Sequence, residues 1–213
     1  ISTDVEVYHE KDDTYSCYVY KTKSKKFLAI GSESTLSSEH RVLLANNPTG
    51  EFQVFQEREL KLEYSFEHVG NTFYVLTNEK ALNFKLVSCS EEATGKENWE
   101  EIIASRQDVL LESVELFANY MVLDERSKGL THLRVIDLST KNEHYIDFGE
   151  EAYTAYISVN FNFESKTLRY GYSSLTTPSS VFDYDLETKE KNLLKQQEIV
   201  GGYKSGDYQS KRI

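Results

Sequence analysis

The segments DLSTK at residues 137–141 and DLETK at residues 185–189 are nearly identical, and each lies between two runs of strand-forming residues. They belong to a wider repeat, a threonine followed by Gly or Lys, which recurs at Thr49, Thr94, Thr140 and Thr188 with spacings of 45, 46 and 48 residues. A period of this length with about four strands per unit is typical of β-propeller blades, which bury their faces by stacking on one another. The repeat therefore predicts an all-β fold, a partial propeller of about four four-stranded antiparallel blades. A chance recurrence of a turn dipeptide is the alternative.

Runs rich in aromatic and β-branched residues fill the spaces between the repeated turns, as expected for strands. The predicted strands are residues 15–22, 27–34, 39–46 and 51–56; 62–69, 71–78, 84–90 and 99–105; 109–119, 120–127, 131–138 and 143–148; and 154–163, 167–175, 180–186 and 192–200. Asp4–Glu10 is predicted as a further strand from a preceding blade, and residues 99–106 have a helical turn as their alternative. Residues 1–200 thus form the partial propeller, and residues 201–213 are expected to begin a linker to another domain.

The chain of 213 residues has a net charge of −11, which disfavours binding to nucleic-acid phosphates and favours solubility or the attraction of basic ligands. No apolar run reaches the roughly 18–20 residues of a membrane span, and no signal-peptide pattern is present. We therefore expect a cytoplasmic protein with no membrane contact, the periplasm being the alternative. Cys17 and Cys89 lie in predicted strands and are expected to be free, buried thiols.

The sequence contains no pattern of its own for catalysis. An α/β-hydrolase nucleophile needs Gly-x-Ser-x-Gly, but the nearest string, at residues 171–175, lacks the second glycine, so Ser173 is not expected to be a nucleophile. The histidines lack the spacing of zinc ligands, and no phosphate-binding loop exists, so we expect no metal and no cofactor. The adjacent acids at residues 91–92, 100–101 and 150–151 are expected to be solvated surface groups.

Several segments together resemble one known family. Residues 22–27 with 34–39, 46–52, 171–181, and 201–203 with 207–208 resemble the propeller domain of the oligopeptidase B (protease II) branch of the prolyl oligopeptidase family, and the string from Tyr172 to Val181 is the most specific of them. The resemblance implies a seven-bladed propeller that caps an α/β-hydrolase domain with a Ser, Asp and His triad. It also implies that the full protein is a serine endopeptidase that cleaves short peptides after Lys or Arg.

By this resemblance the chain covers roughly the last four blades, its partner is a covalently linked α/β-hydrolase domain, and the chain alone is not catalytic. A free-standing propeller module that binds proteins or carbohydrates is the rival hypothesis. The connection between the second and third strands of the fourth blade is predicted to face the hydrolase domain, a plain surface turn being the alternative. The residues predicted for this face are Ser173, Thr176, Thr177, Pro178, Ser179 and Ser180.

A further expectation concerns the flanks of a partial ring. Each cut flank should expose apolar side chains, such as those of Tyr18, Tyr20, Tyr170 and Tyr172, and thereby favour a homodimer of the fragment.

Overall fold

The computed structural model describes residues 4–212, which contain sixteen β-strands and two short 3₁₀ helices. The strands are β1 (Ser16–Lys21), β2 (Phe27–Glu33), β3 (Ser38–Leu44), β4 (Gln53–Gln56), β5 (Tyr64–Val69), β6 (Thr72–Thr77), β7 (Lys85–Ser90), β8 (Glu100–Ile103), β9 (Leu110–Leu116), β10 (Tyr120–Ser127), β11 (Leu130–Asp137), β12 (Glu143–Tyr145), β13 (Tyr153–Ile157), β14 (Thr167–Ser174), β15 (Ser180–Asp185) and β16 (Lys191–Gln196). The 3₁₀ helices are Lys96–Asn98 and Ser205–Asp207. Within residues 4–212 no helix is long and apolar enough to cross a membrane.

The strands form four antiparallel sheets of four consecutive strands each, β1–β4, β5–β8, β9–β12 and β13–β16. The prediction of four four-stranded sheets is therefore confirmed. Every repeated threonine turn lies between the third and the fourth strand of its sheet. In the last two copies the carboxylates of Asp137 and Asp185 accept backbone hydrogen bonds from the following turn residues, and Lys141 and Lys189 both adopt positive φ, near 62° and 67°. The last two copies of the repeat therefore share one turn conformation and one pattern of hydrogen bonds.

The chain divides into two compact units, and the first contains the sheets β1–β4 and β5–β8. Its core is a cluster of buried side chains from both sheets, dominated by aromatic rings. The ring of Phe55 stacks on Phe66 at a centroid distance of 4.3 Å and meets Phe73 edge-on at 5.0 Å. Offset-stacked and edge-on pairs are the favourable geometries for aromatic rings, so this cluster is a major contributor to the stability of the unit.

The second unit contains the sheets β9–β12 and β13–β16, and its core again draws side chains from both. Leu168, Tyr170 and Tyr172 alternate along β14, and all three point into this core. The expectation that Tyr170 and Tyr172 are exposed at a flank is therefore wrong. In the first unit Tyr20 is partly buried against the core, whereas Tyr18 is partly exposed, with its ring packed over Gly31 of the neighbouring strand.

Two local predictions need correction. Asp4–Glu10 is not a strand; it is held instead by side chains, since Arg58 pairs with Glu10 at 2.7 Å and the Arg41 guanidinium lies 4.3 Å from the ring centroid of Tyr8. The strand predicted at residues 99–105 is confirmed as β8, and the alternative of a helical turn there is wrong, because the 3₁₀ turn ends at Asn98. Both cysteines are free, but only Cys89 is buried, and burial raises the pKa of its thiol to about 12.

Candidate functional site

The site predicted from the sequence lies at one end of the strands of the β13–β16 sheet. Because consecutive strands run in opposite directions, the loop from β14 to β15 and the last residues of β16 lie at the same end. We call this end of the sheets in the second unit the exit rim. It also includes the turn between β10 and β11, the connection of residues 146–152 between β12 and β13, and the chain after β16.

Glu150, in the connection between β12 and β13, is the centre of the exit rim. Its carboxylate accepts hydrogen bonds from the hydroxyl groups of Tyr172, Thr176 and Thr177, each at 2.8 Å, and from Ser210 at 3.4 Å. Burial alone would raise the pKa of Glu150, but the hydrogen bonds from Ser174, Thr176, Tyr172 and Thr177 together lower it to about 2. The carboxylate is therefore ionised throughout the physiological range and holds the surrounding hydroxyl groups in place.

The turn between β14 and β15 is closed by its own polar groups. The backbone NH groups of Thr176 and Thr177 donate to the Ser174 hydroxyl at 3.0 and 2.8 Å, and the Ser174 NH donates to the Thr177 carbonyl at 3.0 Å. The Ser180 hydroxyl donates to the Pro178 carbonyl at 2.6 Å. With its polar groups paired in this way, the turn is well defined and presents the side chain of Leu175, which is 89% exposed.

The structure brings some of the predicted site residues together and leaves others apart. Thr176 and Thr177 converge on Glu150, Ser179 is exposed, and Ser180 is buried within β15. Ser173 lies inside β14 opposite Thr154, in regular strand pairing rather than in the strand-to-helix turn of a hydrolase nucleophile. The role of this face towards another domain stays a prediction.

Sequence reasoning missed the acids of this network. Glu150 and Glu91 were expected to be solvated, but Glu150 is bonded to the turn, and Glu91 contacts both the Lys26 ammonium and the His68 imidazole. Three hydroxyl-bearing residues, at 172, 176 and 177, lie close to one another in the sequence and need an acceptor, which was the available signal for such an acid. The partner could not be named from sequence because Glu150 lies 22–27 residues away along the chain.

A hydrogen-bonded Ser24–His68–Glu91 chain lies in the first unit. The imidazole Nδ1 is 2.9 Å from the Ser24 hydroxyl, and Nε2 is 2.7 Å from the Glu91 carboxylate. The imidazole is fully buried and lies in contact with the rings of Phe27 and Phe73, at centroid distances of 4.9 and 4.8 Å. We assign this chain a structural role, because it ties the β1–β2 loop to β5 and to the end of β7 within a packed core.

The residues that the structure describes offer no cluster of three or more His, Cys, Asp or Glu side chains able to hold a metal ion. The Glu150 network positions the turn and the chain that follows β16 through hydroxyl groups that share one carboxylate. What the exit rim provides is therefore a fixed polar scaffold.

Comparison with known proteins shows which family has this architecture. Residues 1–197 match the family model of the prolyl oligopeptidase N-terminal β-propeller domain. The chain is 37% identical over 213 residues to dipeptidyl aminopeptidase BI of Pseudoxanthomonas mexicana, and 27% identical over 214 residues to protease 2 of Moraxella lacunata. In both comparisons the whole chain is covered, together with 29% and 30% of the relative's length.

Among solved structures, oligopeptidase B from Leishmania major superposes with a TM-score of 0.89 at 25% sequence identity. The alignment covers 100% of this chain and 31% of that protein. The chain thus spans somewhat under a third of the length of the relatives it matches. The extent of the family match and the superposition agree with the four meander sheets described above, and the chain belongs to the family of prolyl oligopeptidase N-terminal β-propeller domains.

Proposed function

We propose that this chain is part of the propeller that controls substrate access in a serine oligopeptidase, and that the full protein cleaves short peptides after Lys or Arg. The observation that carries the proposal is the likeness to protease 2 and to oligopeptidase B over the whole chain. In this arrangement the propeller excludes folded proteins from the catalytic domain by size, and the chain contributes no catalytic group.

The negative net charge of the chain supports the proposal that the substrates are basic peptides. The chain carries 35 acidic residues against 24 Lys and Arg. An acidic surface raises the local concentration of basic peptides and lowers that of acidic ones, an effect that salt screens within about 8 Å at physiological ionic strength. The chain therefore favours encounter with Lys- and Arg-containing peptides, whereas the choice of the cleaved bond is assigned to the hydrolase domain.

Exposed apolar side chains support the proposal that a linked α/β-hydrolase domain packs on the exit rim. On the exit rim, Leu175 and Val200 are 89% and 95% exposed. Large apolar side chains that project from polar loops are typical of surfaces that another domain covers. We further propose that residues 201–213 lead into that domain and that the protein is cytoplasmic.

A second candidate activity is favoured by the 37% identity to a dipeptidyl aminopeptidase, a name that describes release of dipeptides from a free amino terminus. Two reporter peptides separate the candidates. An endopeptidase cleaves a reporter whose amino terminus is blocked and which carries Arg before the reporter group, whereas a dipeptidyl aminopeptidase needs a free amino terminus two residues before that bond.

We expect the longer protein that contains this sequence to cleave the blocked Arg and Lys reporters, with a serine-directed inhibitor abolishing turnover, and the 213-residue chain to give none. A reporter with Glu in place of Arg is the matched control and should remain uncleaved. Turnover of the free dipeptide reporter alone would replace endopeptidase by dipeptidyl aminopeptidase activity. A longer protein without serine-type peptidase activity would contradict the proposal and favour the free-standing binding module.

The isolated chain is also expected to self-associate. Val19 of β1 in the first unit and Tyr156 of β13 in the second are large, exposed strand residues. Surfaces of this kind find partners, and two-fold pairing satisfies like patches reciprocally. We expect sedimentation at micromolar concentration to show a dimer that dissociates on tenfold dilution. A monomer mass throughout the dilution series, at low and at high salt, would show that the net charge of −11 and the polar edges keep the chains apart.

A further inference from the structure

Two consecutive glycines follow β16, and both adopt positive φ. The φ angles are 99° at Gly201 and 87° at Gly202, and a Cβ atom added at either position would meet no atom within 4 Å. Residues with a side chain rarely adopt these angles, whereas glycine moves through them at little cost. The two glycines thus form an exposed turn at the end of the sheet, in which the Gly202 NH donates to the Ile199 carbonyl at 3.4 Å.

The chain beyond the two glycines lies on the exit rim and is held there by a few polar contacts. The Tyr203 hydroxyl donates to the Thr176 carbonyl, the Ser210 hydroxyl to Glu150, and the Arg212 NH to Glu151 at 3.3 Å. The Arg212 guanidinium also donates to the Lys128 carbonyl. Most side chains of residues 203–212 are exposed, so little apolar burial adds to these contacts.

We propose that Glu150 and Glu151 form a latch that holds residues 203–212 on the exit rim, and that Glu150 thereby couples the docking of this segment to the order of the β14–β15 turn. A segment held by a few exposed hydrogen bonds belongs to the low-stability end of a protein, where local opening is populated. The inference rests on the proposed function, since in that arrangement this segment joins the propeller to the catalytic domain.

Glu150 is the control point of the latch because one carboxylate serves two segments. It holds the β14–β15 turn through Thr176 and Thr177, and it holds the tail through Ser210. Tyr203 strengthens the connection, since it donates to the carbonyl of Thr176, whose own hydroxyl is bonded to Glu150. Order in the turn and docking of the tail are therefore coupled, and a change in one segment alters the other.

Hydrogen exchange measured by mass spectrometry on the 213-residue chain tests the latch directly. Glu150→Ala removes the shared acceptor, and we expect exchange to rise by at least about fivefold both in residues 203–212 and in the turn of residues 174–180. Tyr203→Phe removes only one hydroxyl that bonds the tail to the turn, and it should raise exchange in residues 203–212 and, to a smaller extent, in the turn. Glu187→Ala is the matched control, because Glu187 is exposed and bonded to Lys166 at the opposite end of the strands. It should leave both segments unchanged.

Limited trypsin cleavage gives a second measure, since Lys204 and Lys211 lie in the latched segment. Cleavage after both residues should accelerate in Glu150→Ala and Tyr203→Phe and not in the control. Unchanged exchange and cleavage of residues 203–212 in both variants would overturn the latch. If the two variants speed exchange in the longer protein but leave turnover of the peptide reporter unchanged, the latch exists but does not control the access of substrates.

Discussion

Replacing Phe55 by alanine is expected to lower the free energy of unfolding of the first unit by about 3–5 kcal/mol. Phe55 is 1% exposed, although it lies in the short outer strand β4. Its ring contacts Phe66, Phe73 and Tyr64, with centroids at 4.3, 5.0 and 6.0 Å. Truncation removes these contacts and leaves a cavity between rigid rings that cannot collapse to fill it.

Urea denaturation followed by tyrosine and tryptophan fluorescence measures the loss. Val54→Ala is the matched control, because Val54 is the preceding residue of the same strand, points to the other face and is 41% exposed. It should cost less than about 1 kcal/mol. A loss below about 1 kcal/mol for Phe55→Ala would show that the two sheets of the first unit are not held together by this aromatic cluster.

The fold was largely predictable because its information is local and repeated. The turn after each third strand carries a threonine followed by Gly or Lys, and alternation along strands such as β14 assigns their faces. Strand ends were predicted too long in most cases, as at residues 109–119, where β9 ends at Leu116. Polar and apolar alternation continues past the last ladder hydrogen bond, so the pattern alone does not mark where pairing stops.

The candidate site was only partly predictable because it depends on contacts between distant segments. The turn residues were recognisable from their composition, but the carboxylate that orders them lies in the preceding connection, and the tail that shares it begins after β16. The prediction of a strand at Asp4–Glu10 was wrong for a related reason. The aromatic and apolar residues of this segment suit a strand, but Arg41 and Arg58 hold it by side-chain contacts. Sequence patterns report periodic burial and do not report which charged groups meet.

Two adjacent acids in β10 show that the partners of a buried charge determine its effect on stability. Glu125 is buried and bonded to Arg106, to Arg134 at 3.3 Å and to the Tyr145 hydroxyl at 2.8 Å, so its charge is compensated. Asp124 points to the opposite face of the strand and is 8% exposed. Among the described residues, no donor lies within hydrogen-bond distance of its Oδ1 atom. Two neighbouring carboxylates therefore affect the fold in opposite ways.

Burial raises the pKa of Asp124 to about 7, and the nearby Glu112 carboxylate adds to the rise, while Arg126 opposes it. Since the folded state binds this proton more tightly than the unfolded state does, the resulting stabilisation is complete below about pH 4 and is lost as the pH rises from 4 through 7. Asp124→Asn keeps the shape of the protonated acid without the ability to ionise. We expect the variant to be more stable than the parent by about 4 kcal/mol at pH 8.5, since a shift of about three pKa units is worth roughly 1.4 kcal/mol per unit, and equally stable at pH 4.

Denaturation of both proteins at intervals from pH 4 to pH 8.5 tests this, because the difference between the two curves isolates the one carboxyl group. Asp137→Asn is the control of opposite sign. Hydrogen bonds from Ser139 and Thr140 lower the pKa of Asp137 to about 2, so its charged form stabilises the turn above about pH 4, and the variant should be less stable there. If Asp124→Asn were no more stable than the parent at pH 8.5, the charged Asp124 would have to find a compensating partner on ionisation, and β10 would contain two satisfied acids instead of one.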